Sequence, residues 1–221
     1  MGSFSNKMVV LLTVVILSLL QSCAVFRSDI DNDCVNQFAS QYPDPNESRF
    51  TLPWNTGKSF MLTQGNCTFE SHSLAGDQHM SFDFKMPIGT PILAVDDGRV
   101  ILVIEQYRDN IDRGFGEANI IGIEHSAGVL TWYVHIMFDG SRVQVDDNVL
   151  RGEVIGYSGN TGDSSYPHLH FFAQQLTEHC HDAQARTARL EQCPQIPVSF
   201  SNVGPADAVL KEWVTYTAMP Y

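Results

Sequence analysis

From Phe50 onward the sequence is a succession of short β-like runs, and this pattern restricts the fold more than any other feature. The runs are rich in Val, Ile, Phe and Tyr, and most are bounded by Gly, Pro, Asp or Asn, as strands are. They read SFMLTQG, HMSFDFKM, TPILAVDDGRVILVIEQY, NIIGIEH, VLTWYVHIMF, SRVQV, EVIGYSG and HLHFFAQ. The Asp-Gly pair in VDDGRV (95–100) predicts a tight hairpin. Helical periodicity is weak and confined to 182–192, so we predict one mainly antiparallel β domain.

The N-terminus predicts export and a lipid anchor. A short polar start with one positive charge precedes the 13-residue apolar run 8–20, which is shorter than the ~20 residues of a membrane span but fits a signal peptide. The following LLQSC resembles the lipobox of bacterial lipoproteins, which implies that Cys23 is lipidated and becomes the mature N-terminus. Ala24 resembles the residue found in lipoproteins of the Gram-negative outer membrane. The alternative is an ordinary cleaved signal with a chance cysteine.

The charge of the mature chain argues against nucleic acid as a partner. Removing residues 1–22 removes one lysine and no acid, so the formal net charge changes from −12 to −13. Nucleic-acid binding requires a basic surface, which such a chain lacks. The remaining residues, roughly 200 in number, suffice for one hydrophobic core.

Four cysteines remain when Cys23 is set aside, and an even number in an exported protein indicates two disulfides. Three connectivities are available, and we favour the pairs that are local in sequence, Cys34–Cys67 and Cys180–Cys193. The first pair would attach an N-terminal arm to the domain, and the second would close a loop. EHCHD (178–182) is an alternative metal cluster, although its cysteine then loses its disulfide partner.

Polar side chains within the apolar runs are the candidates for chemistry. His168 and His170 lie two apart in SSYPHLHFF, so in a strand they share a face while Leu169 and Phe171 point to the core. Asp83 lies between two phenylalanines, with His79 four residues earlier, and His135 interrupts WYVHIM with Tyr133 on its face.

Each of these residues taken alone fits a satisfied core or rim position, but together they supply the nitrogen and carboxylate ligands that zinc takes. The sequence contains neither the HExxH of helix-borne zinc proteases nor the GxSxG of serine hydrolases.

Three sequence blocks that contain these candidate residues resemble a known family. DFKMPIGTPILAVDDGRVI, YVHI and VIGYSGNTGDSSYPHLHF resemble, in this order, the blocks of lysostaphin-type (LytM, β-lytic) zinc metallopeptidases, over about residues 51–175. The resemblance implies a small antiparallel β fold with two packed sheets and a narrow substrate groove, and one Zn²⁺ per chain held by His, Asp and His. It assigns Asp83 and His170 as ligands and His135 and His168 as catalytic histidines that do not bind the metal.

The first histidine ligand has two candidates. The commonest family spacing, HxxxD, selects His79, which shares a face with Asp83 if the strand runs unbroken from 79 to 83. SHSLAGDQHMSFDF is more similar to a subgroup in which a Ser-His pair some ten residues before the Asp supplies the ligand, and this selects His72. A hairpin turn at LAGD (74–77) would bring His72 to the metal from the neighbouring strand.

The implied function is a zinc metallo-endopeptidase that hydrolyses the peptide cross-links of bacterial peptidoglycan. In such an enzyme zinc-bound water attacks the carbonyl, the histidines act as general acid and base, and Tyr133 adds a hydrogen bond to the oxyanion or belongs to the core edge. The alternatives are a non-catalytic module that regulates a cell-wall hydrolase, and a zinc protease acting on other proteins or on competing cells.

The corresponding organisation has four parts. Residues 1–22 are a lipoprotein signal peptide, 23–50 a lipidated tether and N-terminal arm, 51–178 the metallopeptidase domain, and 179–221 a C-terminal disulfide loop and extension. The expected location is the periplasm, anchored through Cys23 to the outer membrane of a Gram-negative bacterium.

Overall fold

The structure is a computed structural model that describes residues 32–68, 70–74, 78–111, 117–180, 193–204 and 209–221. The predicted signal peptide, Cys23 and the stretch 182–192 lie outside these residues. No helix within the described ranges is long and apolar enough to cross a membrane.

The described residues form one short α-helix, five 3-10 turns and eleven strands. The helix α1 is Asn32–Phe38, and the 3-10 turns are Ala39–Gln41, Pro45–Glu47, Glu70–His72, Ser126–Gly128 and Glu178–Cys180. The strands are β1 Ser59–Gln64, β2 Phe82–Lys85, β3 Pro91–Leu93, β4 Gly98–Ile104, β5 Ile120–Glu124, β6 Val129–Val134, β7 Ile136–Ser141, β8 Asn148–Val149, β9 Val154–Ser158, β10 His168–Gln175 and β11 Thr215–Thr217.

These strands form two antiparallel sheets, which confirms the predicted mainly β fold. The large sheet has the order β11-β1-β2-β10-β6-β5-β4-β8, and the small sheet has the order β3-β9-β7. We call the face of the large sheet that packs on the small sheet the inner face, and the opposite face the outer face.

Side-chain alternation in the central strands separates the core from the outer face. Phe82 and Phe84 of β2 and Phe171 of β10 are fully buried in the main core, together with Ile92 and Ile155 of the small sheet. Burying a side chain of this size contributes about 2 to 3 kcal/mol relative to exposure. Because alternate residues of a strand point in opposite directions, Asp83 and His170 are directed to the outer face.

Two local predictions from the sequence are wrong. The Asp-Gly turn at 95–100 does not join a hairpin, because β3 pairs with β9 whereas β4 pairs with β5 and β8. The turn instead passes the chain from the small sheet to the large one. SRVQV forms no strand beyond Ser141: Arg142 N–H still donates to the Ile155 carbonyl of β9, but the chain then enters a turn at 144–147.

The segments that flank the central sheet are fastened to it by two disulfides and by strand pairing. Cys34 is bonded to Cys67 and Cys180 to Cys193, the pairs that the sequence favours. The C-terminal residues belong to the same core, because β11 pairs with β1 and Phe200 is fully buried against Phe82.

Candidate active site

Three candidate residues are carried by the sheet itself. His170 of β10 lies directly opposite Asp83 of β2 on one side and Val134 of β6 on the other. Directly opposed residues point to the same face, so the carboxylate and the imidazole meet on the outer face, with His170 Nδ1 2.8 Å from Asp83 Oδ1. His168, two residues earlier, follows on the same face, and its Nε2 lies 3.7 Å from Asp83 Oδ1.

His72 reaches the same carboxylate from a loop. It ends the 3-10 turn Glu70–His72 between β1 and β2, and its Nε2 lies 3.6 Å from Asp83 Oδ1. Its Nδ1 is 3.0 Å from the carbonyl oxygen of Gly65, and because a carbonyl only accepts, the ring proton is on Nδ1. Nε2 therefore carries a lone pair, is fully buried and has no hydrogen-bond partner among the described residues. An unsatisfied buried lone pair of this kind calls for a ligand.

Together, His72, Asp83 and His170 could hold a metal ion. All three are buried, and one ligand atom from each lies within 4.8 Å of the others. Two imidazole nitrogens and one carboxylate oxygen match the three protein ligands of catalytic zinc sites, which leave a further position open. The orphaned Nε2 of His72 is the strongest sign that these residues fit zinc.

His79 does not join this cluster. β2 begins only at Phe82, and Ser81 N–H donates to the Gln78 carbonyl in a turn, so the unbroken strand from 79 to 83 that His79 would need as a ligand does not form. The ring of His79 stacks instead on Phe38 of α1, with centroids 5.2 Å apart. Of the two candidates for the first ligand, the structure brings His72 to Asp83, although from a 3-10 turn rather than from a neighbouring strand.

His135 lies beside the cluster in a left-handed backbone conformation, with φ of +62°. Such a conformation costs an L-residue about 1 to 2 kcal/mol, and it persists here because both ends of the residue are held. Its carbonyl accepts from Gly159 N–H at 2.8 Å, and its Nδ1 lies 2.6 Å from the Thr161 carbonyl oxygen. This places its ring 4.5 Å from that of His168, centroid to centroid.

Glycine is required at 159 by the close approach of β7. A Cβ built there would lie 2.5 Å from the backbone of Met137. The GYSGNTG turn can therefore run against the residues that follow His135, and its Thr161 carbonyl meets the imidazole. His168 is oriented in the same way, since its Nδ1 lies 2.8 Å from the Tyr166 carbonyl oxygen.

Burial sets the protonation of these groups. It lowers the pKa of His72 to about 4 and, with the nearby His168 and His170, that of His135 to about 3. Burial also lowers the pKa of His168, although Asp83 opposes the shift. For Asp83 burial alone would raise the pKa, but the adjoining His170 and His72 hold it below its usual range. At neutral pH the carboxylate is thus ionised while His72, His135 and His168 are neutral, as metal binding and proton acceptance require.

The structure excludes Tyr133 from the site, contrary to the predicted oxyanion role. Tyr133 pairs with Phe171, not His170, and so points to the inner face, where it is fully buried and its hydroxyl accepts from Val95 N–H at 2.9 Å. The left-handed turn of the backbone at His135 breaks the alternation that would have put Tyr133 and His135 on one face.

The alternative metal cluster at EHCHD also loses a ligand. Cys180 is bonded to Cys193, and His181 and Asp182 lie outside the described residues.

Sequence reasoning missed the groups that orient the histidines. Gly65, Thr161 and Tyr166 act through backbone carbonyls, and no side-chain pattern signals such a role. Tyr166 also contributes its side chain, whose ring lies 5.0 Å from that of His168 and whose hydroxyl donates to Thr63 Oγ1. A tyrosine next to PHLH was the one visible hint.

Comparison with known proteins locates a family match over the same residues. Residues 77–182, which include Asp83, His135, His168 and His170, match the model of peptidase family M23, and His72 lies just before them. The chain is 40% identical over 103 residues to the glycyl-glycine endopeptidase ALE-1 of Staphylococcus capitis, covering 46% of this chain and 25% of that one. It is 38% identical over 93 residues to the peptidoglycan DD-endopeptidase ShyA of Vibrio cholerae, covering 42% of this chain and 19% of that one.

Among solved structures, the antimicrobial peptidase lysostaphin from Staphylococcus simulans matches with 30% sequence identity and a TM-score of 0.44. This match covers 58% of the present chain and 47% of that chain. The chain spans a quarter or less of the length of the two curated relatives.

Proposed function

Because residues 77–182 match the model of peptidase family M23, we propose that the chain is a zinc metallo-endopeptidase that hydrolyses peptide cross-links of bacterial peptidoglycan. The observation that carries this proposal is the convergence of His72, Asp83 and His170 within 4.8 Å, with two further histidines beside them. The names of the relatives, a glycyl-glycine endopeptidase and a peptidoglycan DD-endopeptidase, support the substrate class.

His72, Asp83 and His170 would hold the zinc. When bound, the ion lowers the pKa of a water and polarises the scissile carbonyl. The chain supplies the remaining parts: Asp83 brings the compensating charge, and the Gly65 carbonyl fixes the tautomer of His72 so that Nε2 faces the carboxylate.

His135 and His168 would move the protons. The Nδ1–H of each ring donates a hydrogen bond to a carbonyl oxygen, so the Nε2 of each neutral ring carries the lone pair that can accept a proton. Their lowered pKa values keep both rings in the base form at neutral pH. In the proposed cycle one ring takes the proton of the attacking water, and the pair delivers it to the amine that leaves.

Digestion of purified sacculi tests this function. The chain with one equivalent of zinc should release new amino groups from sacculi and convert cross-linked muropeptides to uncross-linked ones. A chelator should abolish the release, and readdition of zinc should restore it. Casein under the same conditions separates the proposal from a general protease. Cleavage of casein with sacculi left intact would overturn the peptidoglycan assignment, and inactivity on both would overturn the enzymatic one.

We propose further that the chain is anchored by lipid at Cys23 and acts from the outer membrane of a Gram-negative bacterium. The support is LLQSC after an apolar run of signal-peptide length, followed by Ala24. Cys23→Ser should abolish labelling with palmitate and release the protein from the membrane fraction. Unchanged labelling and fractionation of that variant would show the lipoprotein assignment to be wrong.

A further inference from the structure

Lys85 lies on the outer face next to the proposed catalytic histidines. It is two residues after Asp83 in β2, so the two side chains share a face. Lys85 lies directly opposite His168 of β10 on one side and Met61 of β1 on the other. Side chains paired in this way start about 5 Å apart at Cβ, so the ammonium is within reach of any group bound at His168.

This lysine is exposed, and it has no partner within the part of the chain that the structure describes. It is the one exposed residue of β2, whose other three residues are buried. Among the described residues, no carboxylate forms an ion pair with it and no acceptor takes a hydrogen bond from its ammonium. The chain carries 25 acidic and 13 basic residues, and the other lysines after residue 22 are Lys58 and Lys211, on neither β2 nor β10. An unpaired cation beside a candidate active site is therefore unusual in this molecule.

The side chain of Tyr166 lies next to the part of β2 that carries Lys85. Its hydroxyl donates to Thr63 Oγ1 of β1 at 2.9 Å, and since β2 lies between β1 and β10, the tyrosine side chain crosses β2. Its ring also lies 5.0 Å from that of His168. A group bound by Lys85 is thus bordered by an aromatic ring and lies beside His168.

We infer that Lys85 forms a cationic subsite that binds a free carboxylate of the peptide substrate beside the scissile bond. The inference rests on the proposed function and adds a specificity determinant to it. A lysine ammonium recognises a carboxylate by charge-assisted hydrogen bonds and tolerates variation in its approach. Acidic residues outnumber basic ones in the chain, 25 to 13, so a cationic subsite would select where an anionic substrate can dock.

The test compares two forms of one substrate. A cross-linked muropeptide dimer, released from sacculi with a muramidase, is used as it is and after its free carboxyl groups have been converted to carboxamides. The full chain with zinc is assayed for kcat/KM on both, together with Lys85→Met, Lys85→Arg and the matched control Lys58→Met. The wild type should prefer the free-acid dimer by roughly tenfold, as the loss of one charge-assisted contact implies.

Lys85→Met should lose this preference, while Lys85→Arg and Lys58→Met should retain it. The preference of the wild type should also shrink at high salt, since exposed charges are screened. Zinc content and melting temperature of each variant verify that the site is intact, and Lys85→Gln replaces the Met variant if the latter does not fold. Equal preference in wild type and Lys85→Met would overturn the subsite alone. Failure of the wild type to cleave either dimer would overturn the proposed function and the subsite with it.

Discussion

The candidate site has two halves that are held in different ways. Asp83, His168 and His170 form a strand-borne half, fixed by the register of β2 and β10 and by the phenylalanines that alternate with them in the core. His72 and His135 form a loop-borne half, fixed by hydrogen bonds from their rings to two backbone carbonyls, that of Gly65 in the same connection as His72 and that of Thr161 in the turn before β10. The register of one strand pair determines the positions in the first half, whereas each histidine of the second half depends on a single hydrogen bond to loop backbone.

The largest effects should separate metal binding from proton transfer. Asp83→Ala removes a proposed ligand and should lose both zinc and activity, whereas His135→Ala should keep the zinc and lose about 10²- to 10⁴-fold in kcat. Zinc analysis and sacculus digestion of the two purified variants measure this. Equal loss of zinc from both variants would contradict the assigned roles.

The loop-borne half should contribute to the acid sensitivity of the metal-free chain, measured in the presence of a chelator. The folded-state pKa values of His72 and His135, about 4 and about 3, lie below the unfolded value of 6.5. Between pH 6 and pH 4 the unfolded state therefore binds protons that the folded state does not, so the free energy of unfolding falls as pH falls. Each histidine contributes up to about 1.4 kcal/mol per pH unit. The slope of the free energy of unfolding against pH, measured by urea unfolding, should therefore be smaller in His135→Gln than in the wild type. Identical slopes would show that the pKa of His135 is not lowered by folding.

A substitution at Tyr133, on the inner face of the large sheet, should change stability but not catalysis. Tyr133→Phe leaves the buried Val95 N–H without its acceptor and should lower the free energy of unfolding by about 1 to 3 kcal/mol. Because Tyr133 points to the inner face, kcat should stay unchanged for the folded fraction. A tenfold fall in kcat at unchanged stability would restore the oxyanion role.

A smaller effect is expected at Glu212, which supports the loop-borne half from the C-terminal segment. Its Oε1 accepts from Gly65 N–H at 3.1 Å, and the Gly65 carbonyl in turn accepts from His72. Glu212→Ala should weaken zinc affinity by up to about tenfold, since partners of metal ligands tune affinity on this scale. Glu212→Gln keeps the acceptor oxygen and should bind zinc like the wild type, measured by competition with a chelator. Identical affinities of the Ala variant and the wild type would remove Glu212 from the site.

The same division explains how much could be predicted from the sequence. Alternation alone places His168 and His170 on one face opposite Leu169 and Phe171, and the register confirms it. It would also have placed Lys85 beside them, had the pattern FDFK been read past the aspartate. The mainly β fold and both disulfides follow from composition, turn signals and the export context.

The failures are concentrated where the chain leaves regular structure. Period-two reasoning extended the strand back to His79 and put Tyr133 beside His135, but β2 starts at Phe82 and the backbone is left-handed at His135. Neither break carries a glycine or proline that would have marked it. The carbonyl of Gly65 that orients His72 belongs to tertiary structure alone.

The central claim is that one zinc is held by His72, Asp83 and His170, and its most direct test is the zinc content of His72→Ala beside His79→Ala. Both variants lose one imidazole within the same connection between β1 and β2, so each is a matched control for the other. After dialysis against a weak chelator, the account predicts close to one zinc per chain in the wild type and in His79→Ala, and almost none in His72→Ala. Retention of zinc by His72→Ala together with its loss from His79→Ala would contradict the account.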